Sequence, residues 1–370
     1  MRILHTITGL GVKSGGTSTC VYEFVRVLNQ HGCSADILTS GGSINNPLIA
    51  NDSFIHTVKA NYRTPLYISS SMRKALREIK DYDLIHINGL WCEQSLYSAY
   101  IAHKRGIPYI VSPHGSLYPH ALSVKPIRKW LMRKLIFNKM LAGAACIQAT
   151  CQEEKEHYKA LGFHNEVRVI PNIIQFPDYL DIIPCERQKK RIGFLGRIHP
   201  IKNIPALLKA WELLGTKVND AELLIIGSGD KEYEEELKRI AQNCPFDNIH
   251  FCGFVKGIDK YRLLGSLRAL CIPSHQENFG MTAIEALAMG TPVIASRTTP
   301  WSDLETNNCG WWVENSSENL AIAIKQAFAL SDDNLERMGE NGKSLVKNKY
   351  SPEIIVKEAL NMYNYVLNNK

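Results

Sequence analysis

The chain has no apolar run approaching the roughly 20 residues that cross a bilayer, no C-x-x-C pair among its ten cysteines, no internal repeat and no low-complexity tract. The first absence predicts a soluble protein. The second leaves no zinc site or dithiol redox motif to expect. Cys146, Cys252 and Cys271 fall inside short apolar segments, where reduced cysteines sit as core residues, and this predicts a reducing, cytoplasmic setting. The opening MRILHTITGL lacks a small-residue cleavage site and runs into a glycine loop, so it reads as a first buried strand rather than a leader. Acids are outnumbered, 36 against 43 Lys and Arg, and the net charge of +7 suits phosphates or anionic lipid without requiring nucleic acid, which is not expected as a partner.

What is present is a rhythm. At 370 residues the chain exceeds one ordinary hydrophobic core, and two domains are expected. ILHTI, ADILT, DLIHIN, PYIVS, ACIQAT and VRVIPN alternate with helical patterns in the first half; RIGFLG, AELLIIG, NIHFCGF, ALCIPS, PVIAS and GWWVE do so in the second. Short apolar runs separated by helices predict parallel sheets. Two prolines and a charged run interrupt the pattern between them. The expected division is 1–172 as a first domain, 173–190 as linker, 191–350 as a second domain, and 351–370 as a last helix opened by Ser351 and Pro352. In such α/β sheets ligands bind beyond the carboxyl ends of the strands, so two doubly wound, Rossmann-like domains are expected to face a central cleft.

The segment SHQENFGMTAIEALAMGTPVIAS carries the most chemistry. Glu277 precedes the turn at Gly280, and Glu285 lies about one turn inside a helix starting at Met281. Free amides at that helix start favour an anion, while carboxylates accept from sugar hydroxyls, so one segment can hold both halves of a nucleotide sugar. Taken alone, Glu277 could equally cap the turn and Glu285 face water. Arg197 and Lys202 follow strand RIGFLG and suit a diphosphate clamp, although surface charges would look the same. Gly15 and Gly16 precede a helix opening near Thr17, and their amides suit close approach by an anion; the loop misses the third glycine of G-x-G-x-x-G, which leaves a dinucleotide site weakly supported. His114 in SPHGSL ends a strand and suits a sugar hydroxyl or developing negative charge, with His86 and Asn88 as weaker versions of the same argument. Asp81-Tyr82-Asp83 leads into a strand instead of ending one, so it reads as a loop, and no metal is expected. KPIRKWLMRKLIFNK, residues 125–139, contains no acid and interleaves cations with Ile127, Trp130, Leu131, Leu135 and Phe137; it reads either as a helix for an anionic membrane surface or as a core-facing helix with a solvated basic face.

Together these motifs resemble the retaining glycosyltransferases of family 4, which have the GT-B fold. The resemblance rests on Gly196-Arg197 with Lys202, Gly227-Ser228-Gly229, Cys252-Gly253-Phe254-Val255, the E-x7-E pair Glu277 and Glu285, and in the first half Gly15-Gly16, His114 and Pro171-Asn172. Thr299-Pro300-Trp301 and Gly310-Trp311-Trp312 look like the subgroup that builds bacterial surface polysaccharides. The resemblance implies that Arg197 and Lys202 hold the donor diphosphate with amides at Gly16, Met281 and Thr282. It implies that Glu285 binds the ribose, that Glu277 with the Phe279-Gly280 amides holds the sugar, that the base lies near Val255, and that His114 touches the sugar. It also implies a last helix crossing back to the first domain.

The expectation is therefore a metal-independent, retaining transferase with no cofactor beyond its donor substrate. A UDP-sugar is favoured as donor and GDP-mannose is possible. The acceptor would be lipid-linked or a glycan, at the inner face of the plasma membrane. A sugar-nucleotide 2-epimerase of the same fold, a nicotinamide-dependent dehydrogenase and a non-catalytic sugar-binding module are the alternatives.

Overall fold

A computed structural model gives the structure of the chain and describes residues 1–11, 14–40, 46–59, 67–177, 180 and 190–369. The chain forms two compact units, Met1–Gln175 with Pro352–Lys370, and Phe176–Ser351. Most of the expected linker, 178–179 and 181–189, lies outside the described residues.

The first unit is a parallel sheet of β1 (Arg2–Gly9), β2 (Ser34–Ser40), β3 (Ile55–Val58), β4 (Leu84–Asn88), β5 (Tyr109–Ser112), β6 (Cys146–Ala149) and β7 (Val167–Val169), in the order β3-β2-β1-β4-β5-β6-β7. The second is a parallel sheet of β8 (Arg191–Leu195), β9 (Glu222–Ile226), β10 (Ile249–Gly253), β11 (Ala269–Ile272), β12 (Val293–Ser296) and β13 (Gly310–Val313), in the order β10-β9-β8-β11-β12-β13. In each sheet the order reverses beside the first strand, at β1/β4 and at β8/β11. That is where doubly wound folds place ligands, at the strands' carboxyl ends.

The central strands are covered on both faces, which is why they read as unbroken apolar runs. β4, LIHIN, is buried along its whole length, so His86 and Asn88 must find partners inside the sheet layer. β10 differs. It is one of the two edge strands of its sheet, its residues are exposed or half-buried, and Cys252 is exposed; the expectation that Cys252 is a core residue fails at this open edge. Cys146 and Cys271 are buried as expected. β3, a four-residue edge strand, had no counterpart in the apolar rhythm.

The helix Pro352–Asn368 presents Ile355, Val356, Ala359, Met362, Tyr363 and Val366 to the core of the first unit, against Phe24, Val25 and Leu28 of the helix Gly16–Gln30 and residues of β1. Burying each of the larger apolar side chains contributes about 1.5–3 kcal/mol. At 125–139 the expected single helix is broken into Pro126–Met132, a π-helical stretch Arg133–Phe137 and Asn138–Ala142. Phe137 is buried, whereas Ile127, Trp130, Leu131, Leu135 and Ile136 are exposed.

Candidate active site

In the second unit, β8 ends at Leu195 and the chain turns through Gly196 and Arg197 into the short 3-10 turn Pro200–Lys202. Its approach to β9 requires glycine: a Cβ on Gly227 would lie 1.8 Å from the Gly196 carbonyl oxygen. The His275 amide donates to the Ile201 carbonyl at 2.8 Å and ties this turn to the loop after β11. That loop carries Glu277. Its carboxylate accepts from the Ser274 hydroxyl at 2.8 Å and forms an ion pair with Lys202. The Ser274 carbonyl is itself held by Ser296 and Thr298 hydroxyls, both at 2.6 Å, and by the Asn315 amide at 3.3 Å. Loop position is therefore fixed by polar groups from three neighbouring segments.

The turn into the helix Met281–Ala288 is made at Gly280, φ 82° and ψ 63°, the left-handed region that favours glycine. A Cβ there would also stand 2.7 Å from the Trp301 indole nitrogen. Beneath it Phe279, Trp301 and Tyr350 form an aromatic cluster with centroids 5.7–6.0 Å apart. No side chain caps the helix start, so the amides of Met281 and Thr282 remain open to an anion. Glu285, one turn in, pairs with Lys260 of the helix Gly257–Ser266 at 2.7 Å. Both ion pairs are partly buried, with side-chain exposures of 21% and 11% for Lys202–Glu277 and 21% and 14% for Lys260–Glu285. Arg197 is exposed and makes no hydrogen bond or ion pair among the described residues. Beside β10 a depression of about 650 Å³ is lined by Cys252, Phe254, Val255, Asp259, Arg262 and Leu263, so Val255 borders open space.

The structure thus brings Glu277, Lys202, Phe279, Gly280, Met281 and Thr282 to one loop cluster, with Glu285 on the helix that leaves it. Lys260, Ser274 and Asn315 are added to the residues singled out from sequence. Lys260 lies 25 positions before its partner on a separate helix, and no spacing rule links them. Chemically, the cluster offers carboxylates already charge-balanced, a lysine and an arginine, and an uncapped helix start.

The first unit supplies different chemistry. Gly15, φ 87°, precedes the helix Gly16–Gln30, which opens one residue before the expected Thr17; Val12 and Lys13 of this loop are outside the described residues. His114 follows β5 with φ 50°, and the next amide, Gly115, donates to the buried carboxylate of Glu154 at 2.5 Å. Glu154 also accepts from the Thr150 amide at 2.7 Å and hydroxyl at 2.9 Å, while its burial pushes its pKa up. His114 Nε2 lies 3.1 Å from Asn88 Oδ1. Burial pushes the His114 pKa down to about 4, so its imidazole is neutral at pH 7.

Comparison with known proteins follows the division into halves. Residues 14–175 match the family model Glycosyltransferase Family 4, and residues 175–345 match Glycosyl transferases group 1. A capsular polysaccharide biosynthesis glycosyltransferase, CapM, of Staphylococcus aureus is 32% identical over 48% of this chain, a stretch that spans about half (46%) of that relative. An O-antigen chain mannosyltransferase of Escherichia coli is 24% identical over the full length of both chains. Among solved structures, Anabaena HepE in complex with UDP and glucose superposes with a TM-score of 0.76 at 16% identity, covering 98% of this chain and 99% of that one. That likeness shows the fold, GT-B. With the two family models meeting at residue 175 and running together from residue 14 to residue 345, the chain belongs to the glycosyltransferases whose two halves they describe.

Proposed function

We propose that this glycosyltransferase moves a hexose or N-acetylhexosamine, with retention and without a metal ion, from a nucleotide-diphosphate sugar to a lipid-linked or glycan acceptor during synthesis of a bacterial surface polysaccharide. One observation carries the reading: an uncapped helix start flanked by two carboxylates, each neutralised by its own lysine. Glu285 accepts from the ribose hydroxyls and Glu277 from the sugar. Lys202, Arg197 and the amides of Met281 and Thr282 take the diphosphate, whose departure with two negative charges is the step they assist. Gly15 and Gly16 offer further amides to it, and His114 meets the sugar. The depression at Val255 has room for the base.

Relatives active in capsule and O-antigen synthesis support the acceptor class. HepE was crystallised with UDP and glucose, which supports a UDP-sugar; relatives that use GDP-mannose keep that donor in play. The experiment is a thermal-shift screen of intact UDP-, GDP- and ADP-sugars, since a ligand at 100 times its Kd stabilises the folded state by about 2.7 kcal/mol. The donor found is then incubated with and without acceptor. Conversion without acceptor would mean a 2-epimerase, and no turnover at all would mean a sugar-binding module.

The protein also works at an anionic lipid surface. Ile127, Trp130, Leu131, Leu135 and Ile136 are exposed beside Lys125, Arg128, Arg133, Lys134 and Lys139, with no acid between residues 125 and 139. No helix among the described residues is long and apolar enough to cross a membrane, so attachment here is by apolar burial and charge. Lys129 is set apart from the other cations, because its ammonium donates to the Ala121 carbonyl and lies over the Trp91 ring.

A further inference from the structure

His5, His86 and Tyr363 are buried in the first unit, yet the proposed transfer reaction gives them no part. They belong to one series of hydrogen bonds. His114 Nε2 meets Asn88 Oδ1 at 3.1 Å; Asn88 Nδ2 meets His5 Nδ1 at 3.4 Å; His5 Nε2 meets the Tyr363 hydroxyl at 3.3 Å. Tyr363 meets His86 Nδ1 at 2.9 Å, His86 Nε2 meets the Ser112 hydroxyl at 2.7 Å, and Ser112 donates to Gln148 Oε1 at 3.1 Å.

Backbone carbonyls fix the proton positions from both ends. At one end the Asn88 amide nitrogen faces the carbonyls of Thr6 and His86, at 3.5 and 3.3 Å, which an amide oxygen could not do without repulsion. Asn88 Oδ1 therefore faces His114, whose Nε2 must carry the proton. Asn88 Nδ2 donates to His5 Nδ1, leaving the His5 proton on Nε2 and aimed at Tyr363. At the other end the Gln148 amide nitrogen donates to the Ile170 carbonyl at 3.2 Å, so Oε1 accepts from Ser112. Ser112 then accepts from His86 Nε2, and His86 Nδ1 is an acceptor. The two deductions meet at Tyr363, which accepts from His5 and donates to His86, its one proton sufficing. A second proton on His5 would face the Asn88 amide nitrogen, itself a donor, and a second proton on His86 would face the hydroxyl proton of Tyr363. The His5 and His86 rings, 4.5 Å apart, would also repel if both were charged.

We propose that Asn88, its amide turned by the carbonyls of Thr6 and His86, holds the His114 proton on Nε2 and leaves Nδ1 bare to accept a hydrogen bond from a hydroxyl of the transferred sugar. His114 Nδ1 has no hydrogen-bond partner among the described residues. Asn88 is a positioning residue: it sets which ring nitrogen of His114 faces the ligand. Acceptance by Nδ1 favours a hydroxyl over a deoxy or O-alkyl position at that carbon, because neither substitute can donate. The inference rests on the transferase reading for the identity of the ligand, while the proton positions stand apart from it.

The test has two arms. In full-length protein labelled with ¹⁵N-histidine, with signals assigned through His5→Gln, His86→Gln and His114→Gln proteins, long-range ¹H–¹⁵N spectra at pH 7 are expected to show all three rings protonated on Nε2 alone. Asn88→Ala is expected to leave His5 and His114 in mixed forms, whereas Tyr363→Phe should leave all three on Nε2, because Asn88 and Ser112 remain to set them. In the second arm UDP-glucose or GDP-mannose, whichever is turned over, is compared with its monodeoxy forms. One deoxy donor is expected to lose at least tenfold in kcat/KM with the wild-type protein. That discrimination should fall below threefold in His114→Ala and also in Asn88→Ala, where the histidine is still present. A residue that only supported the fold would slow all donors alike. A proton on Nδ1 of His114, or full discrimination in a folded Asn88→Ala protein, overturns the proposal. If no nucleotide sugar is turned over, the transferase reading falls and the spectra alone decide the proton positions.

Discussion

The two units are built on the same strand order, yet they handle polar groups in opposite ways. In the first, His5, His86, Asn88, Ser112, Gln148 and Tyr363 are buried, uncharged and satisfied by one another. In the second, the polar cluster is charged, only partly buried and held as two separate ion pairs. Buried neutral networks are costly to disturb because every lost partner leaves an unsatisfied group in a dry place. Partly exposed ion pairs are worth little individually and exchange partners easily. A ligand can therefore displace lysine from carboxylate in the second unit, whereas the network of the first can only be kept or lost.

Acid is expected to break this contrast most forcefully. Burial holds His5 at a pKa of about 3 and His86 well below its usual range, whereas both titrate near 6.5 once unfolded. Between about pH 6.5 and 4 the unfolded chain binds protons that the folded one does not. Stability is thus complete above pH 6.5 and falls as the pH drops. At pH 5 the loss is about 2 kcal/mol for His5, and His86 adds to it in the same direction. His114 adds in the same direction; Glu154, whose pKa is raised, opposes it by favouring the folded state below that pKa. Urea unfolding at pH 7 and pH 5, followed by tyrosine fluorescence and by exchange of first-unit amides, should show the first unit losing stability ahead of the second. Equal losses in both would remove the distinction.

The basic segment is expected to give the next largest effect. Replacing Arg128, Arg133 and Lys134 by Gln should weaken binding to phosphatidylglycerol-containing vesicles by about 3 kcal/mol, or two decades, at about 1 kcal/mol per cation. Unchanged binding would make the exposed apolar side chains of 125–139 an ornament of the surface.

In the charged cluster, Lys202→Ala should lower kcat/KM for transfer about 100-fold, or about 2.7 kcal/mol, with little change in melting temperature. Wild-type activity from that protein would sink the diphosphate assignment. The smallest effect belongs to Lys260→Met, which leaves Glu285 without its counter-charge. Donor KM should move about tenfold while kcat holds, because the ribose contact is the same in ground and transition states. A change confined to kcat would place Lys260 nearer the chemistry than its pairing suggests.

How much of this could be read beforehand depended on distance along the chain. Strands β8 to β13 follow their apolar runs, because a strand covered on both faces has to be apolar nearly throughout. The loop bearing Glu277 and the helix bearing Glu285 were legible for a similar reason: the carboxylates, Gly280 and the helix-forming residues lie within nine positions. The Lys260–Glu285 pair was not, and the His86–Tyr363 bond, spanning 277 positions, was still further from view. Cys252 misled because an edge strand and a central strand share one alphabet. The π-helical stretch at Arg133–Phe137 has no proline or glycine to announce it.

Tyr363 also bears on the order in which the molecule is made. The second unit is one continuous stretch, Phe176–Ser351, and everything it needs has left the ribosome before the helix Pro352–Asn368 emerges. The first unit, although translated earlier, must wait for that helix to fill its core and to supply the one hydroxyl that joins His5 to His86. Synthesis runs from the first unit to the second, while completion runs the other way. Until then the early half is exposed as an unfinished sheet, and it is closed by a helix translated after the whole of the second unit.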